Sequence, residues 1–147
     1  MSPRLSRSQA EFIEAMEIWG VETGLPRSVA AVLGFLMICE PAHQPAAKIQ
    51  AELQLSSGAV SSALSLLRQA MLVKRRTVPG HRQYYYEMEP DCWRRVVLRR
   101  LNVIHQGVLL AERGLKASPG NRRLADMREV YAIFDTEVER MKKQLEK

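Results

Sequence analysis

A serine-rich segment at residues 56–69 has the sequence SSGAVSSALSLLRQ. With about 100° per residue, a helix here gathers its apolar residues into one arc, which contains Ala59, Val60, Ala63, Leu64, Leu66 and Leu67. The other face carries small or polar side chains and no carboxylate: Ser57, Gly58, Ser61, Ser62, Ser65, Arg68 and Gln69. A solvated helix face usually mixes Glu and Lys, whereas this face suits close approach to a polyanion such as the DNA major groove. The segment therefore favours a DNA-recognition helix over a plain surface helix.

The residues on either side predict a short helix before this segment and a β-hairpin after it. Ala46 to Leu53 has helical spacing of Ile49 and Leu53, and the chain then turns at residues 54–56. Residues 71–78 and 83–88 predict two strands around the tip Pro79-Gly80-His81-Arg82. An ordinary two-stranded ribbon is the alternative, but the arginine at this tip is typical of a wing that reaches a DNA groove.

The positive charge of the 147-residue chain is concentrated after the serine-rich helix. From Arg68 to Arg100 there are nine cations and three acids, so this segment carries the whole net charge of +6. Eight of the nine are arginines, which suit phosphate better than lysines do. Such localised charge is typical of nucleic-acid binding, and it makes Lys74, Arg76, His81 and Arg82 candidate DNA contacts beside Arg68 and the serine face.

Long helices are predicted on both sides of this region. Helices over 8–23 and 27–39 come first, the second apolar on nearly all sides; helices over 91–117 and 122–146 end the chain. The last helix repeats apolar residues at steps of three and four: Leu124, Met127, Tyr131, Phe134, Val138, Met141 and Leu145. Such a repeat requires a partner helix, either within the monomer or, as we expect from its length, in a second subunit.

The predicted fold class is therefore mainly α, an α+β winged helix-turn-helix with a two-stranded wing and long terminal helices for dimerisation. The predicted boundaries are residues 1–25 for an N-terminal dimerisation helix, 26–90 for the DNA-binding domain and 91–147 for the C-terminal dimerisation helices.

The order of these elements resembles the MarR-type winged-helix regulators over nearly the whole chain. The stretches 26–36, 46–53, 56–61 and 80–86 are similar to the branch that contains GbsR-like regulators, and also to a mycobacterial efflux-pump repressor of this type. The resemblance implies a homodimer on double-stranded DNA at an inverted repeat near a promoter, acting as a repressor, with efflux or stress genes as possible targets. It also implies a small effector bound between the dimerisation helices and the DNA-binding lobe. Ser57, Ser61, Ser62 and Ser65 match recognition-helix positions of the family, and Arg82 matches the wing arginine.

The predicted effector is an apolar or amphipathic small molecule that binds in a pocket. Its candidate lining residues are Trp19, Leu33, Met37, Trp93, Tyr131 and Phe134. Aromatic side chains could also cage a quaternary ammonium group. The alternative, which the helical spacing favours, is that these side chains belong to the apolar core.

The cysteines, the histidines and the lengths of the apolar runs are not those expected of a metalloprotein, an enzyme or a membrane protein. Cys39 and Cys92 are expected to be free thiols rather than a disulfide or a redox switch, and the three histidines lack metal-ligand spacing. We therefore expect no metal, no cofactor and no enzymatic activity. With no apolar run long enough for a bilayer and no signal peptide at residues 1–7, we expect a cytoplasmic protein without a membrane partner. The remaining rival is a winged-helix protein–protein adaptor, for which the concentrated positive charge would have no purpose.

Overall fold

The computed structural model describes residues 4–147 and confirms a mainly helical winged helix-turn-helix. Residues 1–3, which belong to the predicted 1–25 segment and to the stretch 1–7 used to exclude a signal peptide, lie outside this range. Within it the elements are α1 (Arg7–Glu22), α2 (Arg27–Ile38), β1 (Gln44–Pro45), α3 (Ala46–Leu53), α4 (Ser57–Gln69), β2 (Val73–Thr77), β3 (Tyr84–Met88), α5 (Cys92–Ala117) and α6 (Arg122–Leu145).

Side-chain caps mark where several of these helices begin. The Ser6 hydroxyl accepts a hydrogen bond from the Gln9 backbone N–H, and the Gln9 side chain accepts one from the Ser6 N–H, so α1 starts with a capping box. At the start of α4 the Ser56 hydroxyl accepts a hydrogen bond from the Ala59 N–H at 3.1 Å. The Asn121 side chain caps α6. These short polar residues satisfy N–H groups that have no partner within the helix.

The sheet has three strands, where the sequence predicted a two-stranded wing. The strand order is β1-β3-β2 with antiparallel pairing, and β1 adds Gln44 opposite Tyr86 and Pro45 opposite Tyr85. The sequence did not reveal β1 because it is only two residues long and contains proline, which a sheet tolerates at an edge. The Gln44 side chain is buried and donates to the Pro41 carbonyl oxygen at 2.8 Å.

Residues 4–90 form one compact unit around α2. The stretch Val29–Leu36 is buried throughout, as the nearly all-apolar sequence predicted. Gly20 lets α1 approach α2 closely, since a Cβ built on it would lie 2.4 Å from the Ala30 Cβ. In α4 the inward residues are Val60, Ala63, Leu64 and Leu67. Leu66 does not face inward as predicted but is 36% exposed, because it lies at the edge of the apolar arc.

Residues 91–147 form a second unit, the α5–α6 hairpin. Two glycines of α5 allow the helices to approach: a Cβ on Gly107 would lie 2.4 Å from the Tyr131 ring, and one on Gly114 would lie 2.8 Å from Leu124. Across the same pair of helices, His105 Nδ1 lies 2.9 Å from a carboxylate oxygen of Asp135.

The unit boundary after residue 90 coincides with the predicted start of the C-terminal helices, while α1 clusters with the winged-helix elements. The predicted role of residues 1–25 in dimerisation stays a prediction. In the part of the chain that the structure describes, none of the helices combines the length and the apolar character that a bilayer crossing requires.

Candidate nucleic-acid interface

The exposed face of α4 brings the predicted recognition residues together. Ser57, Gly58, Ser61, Ser62 and Ser65 are all exposed. Arg68 follows on the same face, in the last turn of the helix, and is half-buried. No other part of the described structure covers the first turn of this face at Gly58, since a Cβ there would meet no atom within 4 Å. A surface of short hydroxyl groups can approach DNA closely and donate to its oxygen atoms.

A depression of about 390 Å³, here called the recognition notch, lies between this face and the wing. Polar residues from four elements line it. They are Gln50 of α3, Arg75 of β2, Tyr86 of β3, and Ser57, Ser61, Ser65 and Arg68 of α4. Among the described residues that line the notch there is no Asp or Glu. The notch therefore presents two arginines and several hydrogen-bonding groups without an opposing charge.

The cations of β2 point to opposite faces of the sheet, because side chains alternate along a strand. Lys74 and Arg76 share one face, where both form ion pairs with Glu87. Lys74 Nζ lies 3.5 Å from one carboxylate oxygen of Glu87, and Arg76 Nη1 lies 3.3 Å from the other. The same Arg76 nitrogen lies 3.5 Å from His43 Nδ1. Arg75, which the sequence prediction left out of the DNA contacts, lies on the other face and lines the recognition notch.

The guanidinium group of Arg75 lies over an aromatic ring. Its central carbon is 4.6 Å from the centroid of the Tyr84 ring, a geometry in which the ring attracts the cation and limits its orientation. The sequence could not reveal this placement. Residues 74–76 are three consecutive cations, and only the strand register and the position of α4 decide which of them faces the helix.

The wing tip places the predicted arginine outward. Gly80 has φ of 84°, a left-handed conformation that favours glycine, and the turn closes with the His81 N–H donating to the Val78 carbonyl at 3.0 Å. Arg82 is exposed beyond this turn. His81 is exposed as well, but its Nδ1 lies 3.1 Å from the Tyr85 hydroxyl, so a hydrogen bond holds the imidazole ring against β3 of the wing.

The six predicted pocket residues fall into both units. In the first unit Leu33 is buried in the core, whereas Trp19 and Met37 are partly exposed. In the second, Trp93 is half-buried, the Tyr131 ring packs on Gly107, and Phe134 is 55% exposed. A cavity of about 460 Å³ in the first unit is lined by other residues, among them Phe35 and Ile38 of α2, Pro45, Lys48 and Tyr85. Sequence periodicity could not find this cavity, because β1 and β3 form one of its walls.

Cys39 and Cys92 are buried, and neither forms a disulfide, as the sequence predicted. Burial raises the pKa of the Cys39 thiol to about 11, so near neutral pH it is protonated and a poor nucleophile. No group of three or more potential metal ligands occurs among residues 4–147.

Comparison with known proteins extends these observations. Residues 91–146 match the model of the MmpR5-like MarR family transcriptional regulators. The HTH-type transcriptional regulator MmpR5 of Mycobacterium tuberculosis (strain ATCC 25618 / H37Rv) is 29% identical over 133 residues, which cover 87% of this chain and 81% of MmpR5. A crystal structure described as a transcriptional regulator superposes with a TM-score of 0.72 at 27% identity, covering 93% of this chain and 97% of that one.

The matched family consists of transcriptional regulators rather than enzymes, which agrees with the class predicted from the residues. The placement within a GbsR-like branch stays a prediction. The order of the elements, the acid-free recognition face and the arginine-tipped wing are those of a winged-helix transcriptional regulator, and the chain is similar to the MarR-type regulators, which bind DNA.

Proposed function

We propose that the protein is a homodimeric, ligand-responsive repressor that binds an inverted-repeat operator in the cytoplasm. The observation that carries this proposal is the recognition notch beside α4, with Arg68 and Arg75 on its rim and no carboxylate among the described residues that line it. With Arg82 at the wing tip, one subunit offers a helix for the major groove and a wing for the adjacent backbone or minor groove. Genes for efflux or stress responses are the proposed targets, because the sequence resembles an efflux-pump repressor.

Exposed apolar side chains of the second unit support a dimer. On α6, Ile133 is 66% and Phe134 55% exposed, with Val130 and Met141 on the same side. On α5, Val103 and Leu110 are exposed two turns apart. Apolar stripes of this kind in a soluble domain mark interaction surfaces. A second copy of the same hairpin would cover them and would set the distance between two recognition helices.

The effector is proposed to be an apolar or amphipathic small molecule that acts beside α2. The 460 Å³ cavity supports this proposal, because its volume is in the range of small-molecule sites and its wall joins α2 to the wing strand β3. Two recognition helices must lie about 34–36 Å apart to enter successive major grooves. A ligand that favours a different spacing would weaken binding in proportion to its preference for that shape.

A mobility-shift titration tests this proposal. The protein is bound to the duplex upstream of its own gene and titrated with fatty acids, their esters, quaternary amines and hydrophobic drugs. We expect at least one of these compounds to release the duplex. We also expect Ile38→Trp, which fills the cavity, to bind DNA normally and to lose the response. An unchanged response in Ile38→Trp would place the effector site elsewhere.

Two other results would contradict the ligand mechanism or the regulatory function. If no compound changes operator affinity while oxidation of Cys39 or Cys92 does, the switch is a thiol. If duplex binding is absent, or does not weaken as salt rises, the adaptor is the better explanation, because phosphate contacts always make DNA binding salt-dependent.

A further inference from the structure

The three consecutive cations of β2 differ in what surrounds them, although the sequence makes them look equivalent. Lys74 and Arg76 share the carboxylate of Glu87, which is only 17% exposed, and Arg76 is also close to His43. A carboxylate this close neutralises much of the charge that the two residues could offer to DNA. Arg75 faces away from Glu87, as its Cα pairing with Tyr86 on β3 requires.

Arg75 and Arg68 reach the same notch from two different elements. Arg68 is in the last turn of α4, and Arg75 is in the middle of β2. Ser61 and Ser65 also line the notch and can donate hydroxyl hydrogen bonds. Two guanidinium groups and two hydroxyls without an acid form a site for an anion, and arginine binds phosphate through two parallel N–H donors.

Building on the proposed function, we propose that the recognition notch holds one phosphate of the DNA backbone between Arg68 and Arg75, and that Arg75 rather than Lys74 or Arg76 is the DNA contact of β2. Tyr84 is its positioning residue, since the ring 4.6 Å from the guanidinium carbon restricts the side chain before DNA arrives. A phosphate fixed here sets how far along the groove the serine face of α4 lies, because phosphate contacts position a protein on DNA without reading its sequence.

Two variants with the same chemistry test the assignment. Arg75→Gln and Arg76→Gln each remove one positive charge and keep a polar, though shorter, side chain. Fluorescence anisotropy with a labelled duplex from upstream of the gene, and with a scrambled duplex, gives the affinity at several salt concentrations. Arg128→Gln on α6 controls for the loss of a positive charge outside the interface.

Arg75→Gln is expected to weaken binding to both duplexes about tenfold and to lower the salt slope by about one unit, because one phosphate contact is lost. Arg76→Gln and Arg128→Gln are expected to keep the wild-type slope. Arg75→Lys should restore the slope, since the charge remains, but bind more weakly than wild type because the fork is lost. Tyr84→Phe should behave as wild type, and Tyr84→Ser should weaken binding with the slope nearly retained.

The inference is overturned if Arg75→Gln leaves the slope unchanged while the wild-type protein binds, or if Arg76→Gln lowers it as much. A loss confined to the upstream duplex would overturn the phosphate assignment, since it would indicate a base contact. If the wild-type protein itself binds neither duplex, the proposed function fails together with the inference.

Discussion

Gly20 shows how strongly a single residue can limit the packing of the first unit. A Cβ at this position would lie 2.4 Å from the Ala30 Cβ, and neither atom can be moved by a side-chain rotation. We therefore expect Gly20→Ala to destabilise the protein by about 1–3 kcal/mol from overpacking, more than the roughly 1 kcal/mol that alanine gains in helix propensity.

Gly58→Ala is the matched variant, since a Cβ there meets no atom within 4 Å. Thermal unfolding followed by circular dichroism should show a Tm several degrees lower for Gly20→Ala and unchanged or slightly higher for Gly58→Ala. Equal midpoints for the two variants would mean that α1 does not pack on α2 this closely.

Residue identity alone could locate the recognition face but not the strand contact. Residues four apart in a helix lie on the same side, so the sequence predicts that Ser57, Ser61 and Ser65 share one face of α4. Arg75 could not be distinguished from Arg76, because the difference lies in Glu87 on another strand and in the position of α4. The Tyr131 ring, a predicted pocket residue, packs on Gly107 of α5, a contact between two helices that the spacing within one helix does not show.

Among the elements, the α5–α6 hairpin combines an inward and an outward apolar side. The repeat along α6 predicted a partner helix, but it treated Val138 and Phe134 alike, whereas Val138 is 2% and Phe134 55% exposed. A charged side chain at Val138 would therefore unfold the hairpin. Charged side chains at the exposed Ile133 and Phe134 instead test whether two subunits associate through this surface.

We expect Ile133→Asp with Phe134→Asp to give a folded monomer, because burying one such side chain between subunits contributes about 1.5–3 kcal/mol. Ala132→Asp, on a different side of α6, should remain a dimer. Light scattering gives the mass and circular dichroism the helix content; a helical dimer of the double variant would exclude this surface as the interface.

The edge strand β1 was the element that the sequence did not predict. Two residues ending in proline carry no alternation, and the pairing of Gln44 with Tyr86 becomes visible only once β3 is in place. The long helices and the hairpin, in contrast, were predicted to within a few residues, because each has a repeating apolar pattern or a clear turn.

On the scale of the whole molecule, the positive charge that contacts DNA has to follow the two-fold symmetry of the proposed dimer. The segment from Arg68 to Arg100 carries the net charge of +6, and it includes Arg75 of the notch and Arg82 of the wing tip. In a dimer these groups occur twice, related by a two-fold axis. Such a dimer requires DNA contacts that repeat with the spacing of successive major grooves.

Hydroxyl-radical footprinting of the full-length protein on the duplex upstream of its gene tests this requirement most directly. We expect two protected regions related by an inverted repeat, with centres about 34–36 Å apart, and flanking protection that disappears in Arg82→Ala. Uniform protection without a repeat, or a footprint that Arg82→Ala leaves intact, would contradict the central claim that two copies of α4 and the wing read DNA together.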